Sequence, residues 1–184
     1  MKTKFINEEI KYIGSQLKPH WIYKNYNIQG DAIVAFIGEC EVKISEMVDL
    51  EDVINNEPIY SKSMLSFISE QFGIGLVEGV LRQRLMITII KELLEERGVF
   101  VVRKGDDLII DGKKLTVSIA TKSTVSVLIH TGINILSEGA PVKASGLMSE
   151  LGISDIKNFA LEVMKRYSEE IDDIIFSSTK VRGV

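Results

Sequence analysis

The sequence holds one cysteine, Cys40, and two histidines, His20 and His130, in 184 residues. A lone cysteine excludes an internal disulfide framework and fits a reducing compartment. Two histidines so far apart leave little material for a serine triad or a His-rich zinc site. A mixed site of His20, His130 and Asp49 is the metal alternative that remains, and no metal is expected. No apolar run approaches the ~18 residues of a membrane span, and the start MKTKFINEEIKY lacks a signal-peptide apolar region. The expected location is therefore the cytoplasm, with no membrane partner. A basic excess is missing as well. The net charge is −4 and the pI is near 5.3, which gives no electrostatic case for nucleic acid as the main partner. Also absent are a Walker loop, a GxGxxG after a strand, HExxH, CxxC and a nucleophile elbow. Without repeat, linker or low-complexity tract, the chain reads as a single domain over 1–184.

What is present concentrates between Arg103 and Ile135, where turn chemistry, strand alternation and several ionisable groups coincide. Asp111-Gly112 suits a two-residue type I′ hairpin turn, which needs positive φ at both central residues. The turn sets a register: Ile110 opposite Lys113, Ile109 opposite Lys114, Leu108 opposite Leu115 and Asp107 opposite Thr116. Because opposed residues share a face, one face carries Leu108, Ile110, Leu115, Val117 and Ile119, with Lys113 at its solvent end. The other carries Asp107, Lys114, Thr116 and Ser118. The first face suits a core, and the second, a carboxylate diagonal to a lysine with two hydroxyls, suits a ligand pocket. A second hairpin turns at Thr121 to Thr124. A two-residue Lys122-Ser123 loop puts Val127, Ile129 and Thr131 on the Lys114 face, whereas one more loop residue puts Ser126, Leu128 and His130 there.

The rest of the chain supplies scaffold. Lys4 to Ile13 reads as a strand, and SQLKPHWIYKNYN as a short helix capped by Ser15 that carries His20. Ala32 to Ile37 reads as a buried strand with Glu41 to Ile44 as its hairpin partner around Gly38, and Cys40 as a small buried hydrophobe. Glu46, Asp49, Glu51 and Asp52 read as a solvated acidic face, with a polar or metal-binding loop as the alternative. Ser63 to Phe72 alternates as a half-buried strand. Gly75 to Arg97 is a helix with an apolar face through Leu76, Val80, Leu81, Leu85, Ile87, Ile89, Leu93 and Leu94, and Gln83 and Arg84 on its polar side. Strand Val99 to Arg103 follows it. PVKASGLMSELGI reads as containing a short helix, and Ser154-Asp155 caps a longer one through about Ile175, with Phe159, Val163, Tyr167 and Ile171 inward. The tail SSTKVRGV reads as a disordered end.

The run Asp106-Asp107-Leu108-Ile109-Ile110-Asp111-Gly112-Lys113-Lys114-Leu115 resembles the biotin-protein ligase segment Asn-Asp, short hairpin, basic residue, Lys, Leu or Ile. Ile129-His130-Thr131-Gly132-Ile133-Asn134-Ile135 resembles the Gly-Ile-Asn strand of the same enzymes. The likeness spans roughly Ser63 to Glu138. It implies an α+β fold, a mixed and mostly antiparallel sheet packed by helices, as in the biotin and lipoate ligase catalytic domain related to class II aminoacyl-tRNA synthetases. It also implies that the family's lysine, which contacts the ligand carboxylate and adenylate phosphate, falls on Lys114, and its aspartate on Asp107. This chain departs from the ligases twice. EPIYSKSMLSFISEQF carries no Gly-Arg-Gly-Arg or Arg-Arg phosphate loop, and Val117 stands where the ligases have a glycine three residues after the lysine.

Over its whole length the chain is similar to a prokaryotic, largely archaeal domain-of-unknown-function family. The matching residues are Pro19-His20-Trp21, Phe36 through Val42, Met47-Val48-Asp49 with Glu51-Asp52, Arg103 with Gly105-Asp106-Asp107, Lys114 through Thr121, His130 and Lys180-Val181-Arg182. That likeness implies a tail that folds back onto the body.

Two functions follow as expectations. One is a ligase or acyl/adenylyl transferase acting on a small carboxylic acid, with Lys114 and Asp107 catalytic and ATP as the cofactor to test. The other is a non-catalytic protein that binds a small carboxylate or nucleotide-like ligand on the same scaffold without the ATP loop. Ligand contacts are expected from Arg103, Asp106, Thr116, Ser118, His130, Asn134 and His20. Sheet edges invite self-pairing, so a homodimer is the expected assembly.

Overall fold

The computed structural model describes residues 1–183. Five strands form the main sheet: β1 (Lys2–Phe5), β2 (Ala32–Val42), β3 (Ile59–Phe72), β7 (Thr116–Lys122) and β8 (Ser126–Asn134), in the order β1-β2-β3-β8-β7. β1 runs parallel to β2, and the other pairs are antiparallel. A small sheet joins β4 (Val102–Lys104), β5 (Asp107–Ile110) and β6 (Lys113–Lys114). The helices are α1 (Trp21–Tyr26), α2 (Leu50–Asn55), α3 (Leu76–Glu95) and α4 (Ile156–Thr179).

The central strands are covered on both sides: β2 reads as a near-continuous apolar run, and β3 and β8 bury polar residues such as Ser66, Ser69, Glu70, His130 and Thr131 along with their apolar ones. On one side α3 and α4 lay Met86, Leu93, Phe159 and Tyr167 onto Ile33, Leu65, Phe67 and Ile129. On the other, Ile22 of α1, Ile6 and Tyr12 pack on Val34, Phe36, Met64 and Ile68. This second layer is thinner, and a cavity opens within it.

Several local expectations are corrected. Glu41 to Ile44 does not turn back as a hairpin partner; β2 runs unbroken to Val42 with a bulge between Gly38 and Cys40. The glycine is there for clearance, because a Cβ at Gly38 would sit 2.1 Å from the Ile10 carbonyl oxygen. The chain after β1 follows the β2 edge, Ile10 N–H donating to Ile37 O and Tyr12 N–H to Glu39 O. The first helix starts at Trp21, later than Ser15, with His20 at its N-cap in left-handed backbone, φ 63. β3 starts at Ile59 and is buried on both faces from Met64 to Gln71, so it is not half-buried.

On α3 the inward face runs through Gly79, Arg82, Gln83, Met86, Ile90 and Leu93, whereas Leu81 is 65% exposed. The helix seats Gly79 against Val127 of β8. This rotation turns Arg82 and Gln83 inward, and Arg82 donates to Gln71 and to Glu78. Residues 141–153 form no helix. Ala144 instead pairs with Lys114 as a strand bridge, Lys114 N–H to Lys143 O and Ser145 N–H to Lys114 O, both 2.9 Å. α4 begins at an Asp155 cap that accepts from Asn158 N–H and continues past Ile175 to Thr179. The tail does not fold back: Lys180 lies over the Phe176 ring of its own helix, and residues 180–183 are exposed. Val184 lies outside the described residues. No helix among them is long and apolar enough to cross a membrane.

Candidate functional site

The Asp111-Gly112 turn, φ 48 and 76, sets Ile109 opposite Lys114 and Ile110 opposite Lys113. That register puts Asp107 and Lys114 on one side of the small sheet, with Lys114 Nζ 3.0 Å from Asp107 Oδ1. Ala144 pairs with the Lys114 backbone on its free edge. Both side chains face a cavity of about 370 Å³ between the small sheet, the second core and the segment 46–60.

The shared face does not extend to Thr116 and Ser118. Leu115 is buried in the same core as Leu108, and Thr116 is also fully buried. Two consecutive residues turn inward because the chain here leaves the small sheet for the large one, and the alternation is interrupted. Thr116 Oγ1 accepts the Leu108 N–H at 2.9 Å and does not line the cavity. Ser118 borders it, but its Oγ accepts from Gln83 Nε2 at 3.1 Å, pairs with Thr131 Oγ1 at 2.8 Å and donates to His130 O at 3.0 Å. Past the interruption Val117 and Ile119, expected in the core, face the cavity.

The same interruption decides His130. Lys122 pairs with Val127, so the turn holds four residues and keeps the parity of the two-residue alternative: Thr131 stands opposite Ser118. Since that face has turned away from Lys114, His130 and Asn134 come to the Lys114 side. Val117 fits because its cross-strand partner is Gly132, where a Cβ would meet Val117 Cγ2 at 3.1 Å and Met64 Sδ at 2.3 Å.

Three inner polar residues line the cavity while almost wholly buried: Tyr12 is 4% exposed, His130 3% and Asn134 7%. The His130 ring stacks on Tyr12 with centroids 3.8 Å apart, and its Nε2 lies 3.3 Å from Ser66 Oγ. Burial pushes the His130 pKa down to about 3, which keeps the imidazole neutral. Burial also raises Tyr12, a neutral phenol, and pushes the Cys40 thiol up to about 12, so it is inert. Among the described residues, His130 Nδ1, Tyr12 Oη and the Asn134 amide have no protein hydrogen-bond partner. No fully buried side-chain N or O lacks a partner, so these atoms open onto the cavity.

The outer wall is acidic. Glu46, Asp49, Glu51, Asp52 and Glu57 line it from one segment, and the sequence has no basic residue between Lys43 and Lys62. Burial raises the Asp52 pKa, and the Asp49 carboxylate adds to the rise against the opposing pull of Lys114. Asp106 also lines the cavity but is engaged, accepting from Gln83 Nε2 at 3.0 Å and pairing with Arg84 at 3.3 Å. Among the described residues Lys114 is the one basic side chain in the lining, and no three acids, histidines or cysteines come together as metal ligands.

Besides Thr116, two expected ligand contacts lie elsewhere. Arg103 is exposed on β4 and donates to Gly105 O at 2.7 Å. His20 serves the scaffold: its backbone N–H donates to both Glu70 carboxylate oxygens, at 2.8 and 3.0 Å, and its ring stacks on Phe72. Tyr12 was not legible as a cavity residue, and Asp52 was legible only within the acidic run whose alternative reading was a polar or metal-binding loop. The one sequence signal available was the base-free acidic run before Lys62.

The sheet order and the position of the cavity define a mixed α+β fold of the biotin and lipoate ligase type. The solved structures of a putative lipoate protein ligase from T. acidophilum and of a biotin protein ligase variant from Aquifex aeolicus in complex with biotin share it. The first has TM-score 0.64 at 14% identity, covering 94% of this chain and 86% of that one. The second has TM-score 0.60 at 16% identity, covering 94% and 70%. The chain belongs to the family described as Domain of unknown function (DUF366), whose model matches residues 1–182. An uncharacterized protein of Methanocaldococcus jannaschii is 42% identical over 180 residues, 95% of this chain and 81% of the relative. A solved protein of unknown function from Pyrococcus horikoshi matches with TM-score 0.94 at 40% identity, covering 100% and 98%.

Proposed function

We propose that the protein binds a small carboxylic acid in this cavity, with the carboxylate on Lys114 Nζ, and that it does so without ATP. The observation that carries this reading is the charge of the lining: Lys114 is its one ammonium, among seven carboxylates, and among the described residues no arginine lines it. One ammonium can hold one carboxylate. A triphosphate, whose charge is spread over several oxygens, needs more cations or a cradle of backbone N–H groups. The segment 57–72, where a phosphate loop is missing from the sequence, is mostly strand β3 and offers Glu57, Ile59, Tyr60 and Met64 to the cavity.

A ligase or acyl/adenylyl transferase is the second reading. Its support is that the Lys114–Asp107 pair stands where the ligase resemblance puts the family's lysine and aspartate, with Asp107 orienting Lys114 Nζ. In that case Lys114 would stabilise negative charge developing on the activated acid. Thermal shift with octanoate, lipoate, biotin and ATP separates the two. Binding predicts stabilisation by an acid that ATP does not change and that Lys114→Ala abolishes. Stabilisation that requires ATP together with the acid favours the enzyme. No response to any acid, with Lys114→Ala behaving as wild type, overturns both.

A further inference from the structure

We propose that the ligand is a carboxylate carrying an organic cation at its far end, an ω-amino or guanidino acid. Its carboxylate rests on Lys114 and its cation among Asp49, Glu51, Asp52 and Glu57, and an uncharged polar group between the two, an amide or hydroxyl, meets Tyr12, His130 and Asn134. This rests on the carboxylate reading above and deepens it.

Three observations carry the assignment. First, the acids are turned the unusual way. α2 exposes Leu50 at 73% and Ile54 at 83% while Asp49 and Asp52 are partly buried in the cavity lining, which the exposed Glu51 also borders. A helix whose acids merely serve solvation turns the apolar side chains in and the acids out. Second, these acids have no ion-pair partner, although Lys114 exerts a longer-range pull on Asp52. Asp107 is paired with Lys114 and Asp106 with Arg84, but among the described residues no Lys or Arg pairs with Glu46, Asp49, Glu51, Asp52 or Glu57 within 4.0 Å. Like charges grouped in a concave wall raise the local concentration of a cation.

Third, the inner end is built for a polar, uncharged group. Three side chains more than nine-tenths buried present unpartnered donors and acceptors there: a phenol hydroxyl, a neutral imidazole nitrogen and a carboxamide. Their free atoms open onto the cavity, where a polar group of the ligand can take the place of water. The raised Asp52 pKa agrees with this, since a neighbouring cation would relieve the burial and the Asp49 repulsion that raise it. A metal ion fits less well, because no three possible ligands converge among the described residues.

The test is calorimetric titration of the full chain at low ionic strength with three matched series: ω-amino acids of four to eight carbons, plain carboxylates and alkylamines. The expected result is an ω-amino acid binding about tenfold or more tighter than the plain acid of equal length, an advantage that added salt erodes. Asp49→Asn with Asp52→Asn removes the advantage by weakening the ω-amino acid, while the plain acid binds no more weakly than to wild type; Asn at 49 still caps α2. If that variant folds poorly, Glu51→Gln with Glu57→Gln, both exposed, reads the same effect. Equal affinity for amino and plain acids, with Lys114→Ala abolishing both, overturns this inference and leaves the carboxylate reading standing. Alkylamines binding as well as amino acids, indifferent to Lys114→Ala, overturn the carboxylate reading and this inference with it.

Discussion

His130 is a histidine that the fold keeps uncharged. In the unfolded chain it binds a proton near its ordinary pKa of 6.5, but in the folded protein not until about 3. Between those values the unfolded state holds more protons, so this residue costs stability progressively as pH falls from about 6.5 toward 3. At pH 5 the cost is on the order of 2 kcal/mol. His130→Gln is expected to lose less stability than wild type between pH 7.5 and 5, read from denaturant midpoints; identical losses would mean that the imidazole is charged in the folded state. The same residue shows what local sequence can and cannot tell. Asp107 and Lys114 were legible as a pair because a two-residue Asp-Gly turn leaves one register. His130 was not, because its face depends on the interrupted alternation at Leu115-Thr116, produced when the chain changes sheets. Nothing within either hairpin announces that change.

At the scale of elements, glycine clearance positions the cavity more than helix caps do. Gly38 lets the chain between β1 and α1 lie against β2, and that crossing brings Tyr12 onto His130. In sequence a glycine between two apolar runs reads as a turn, so the hairpin expectation failed where the residue serves close approach. Gly38→Ala is expected to destabilise by about 2 kcal/mol or more, since a Cβ there collides with backbone, not with a flexible side chain tip. A denaturant midpoint within error of wild type would show that the segment around Ile10 yields freely. Helix α4 was legible because its inward residues Phe159, Val163, Tyr167 and Ile171 keep a strict four-residue spacing. Helix α3 was placed in sequence but not in rotation: an apolar pattern with many hydrophobic positions fits several faces, and Gly79 against Val127 selects one. That selection turns Gln83 toward Asp106 and Ser118.

At the scale of the whole molecule, two apolar cores share one sheet. β2, β3 and β8 send alternate residues to each side, so neither layer can open without exposing strands that hold the other. A single calorimetric unfolding transition is expected, with van't Hoff and calorimetric enthalpies equal; two resolved transitions would show that the layers melt separately. The fold was legible from two short motifs in the right order, because the hairpin of the small sheet runs on into β7, which pairs with the Gly-Ile-Asn strand of the main sheet. The cavity's charge was not, since it depends on a segment far from those motifs, 46–57, folding over the same opening. With that wall acidic, the proposed carboxylate has one ammonium to meet in the lining among the described residues, Lys114. The most direct measurement is calorimetric titration of the carboxylic acid that stabilises the protein most, into wild type and Lys114→Ala, each with and without magnesium-ATP. Saturable binding to wild type, unchanged by nucleotide and lost in Lys114→Ala, is the predicted result; binding that appears only with magnesium-ATP, or that survives Lys114→Ala, contradicts it.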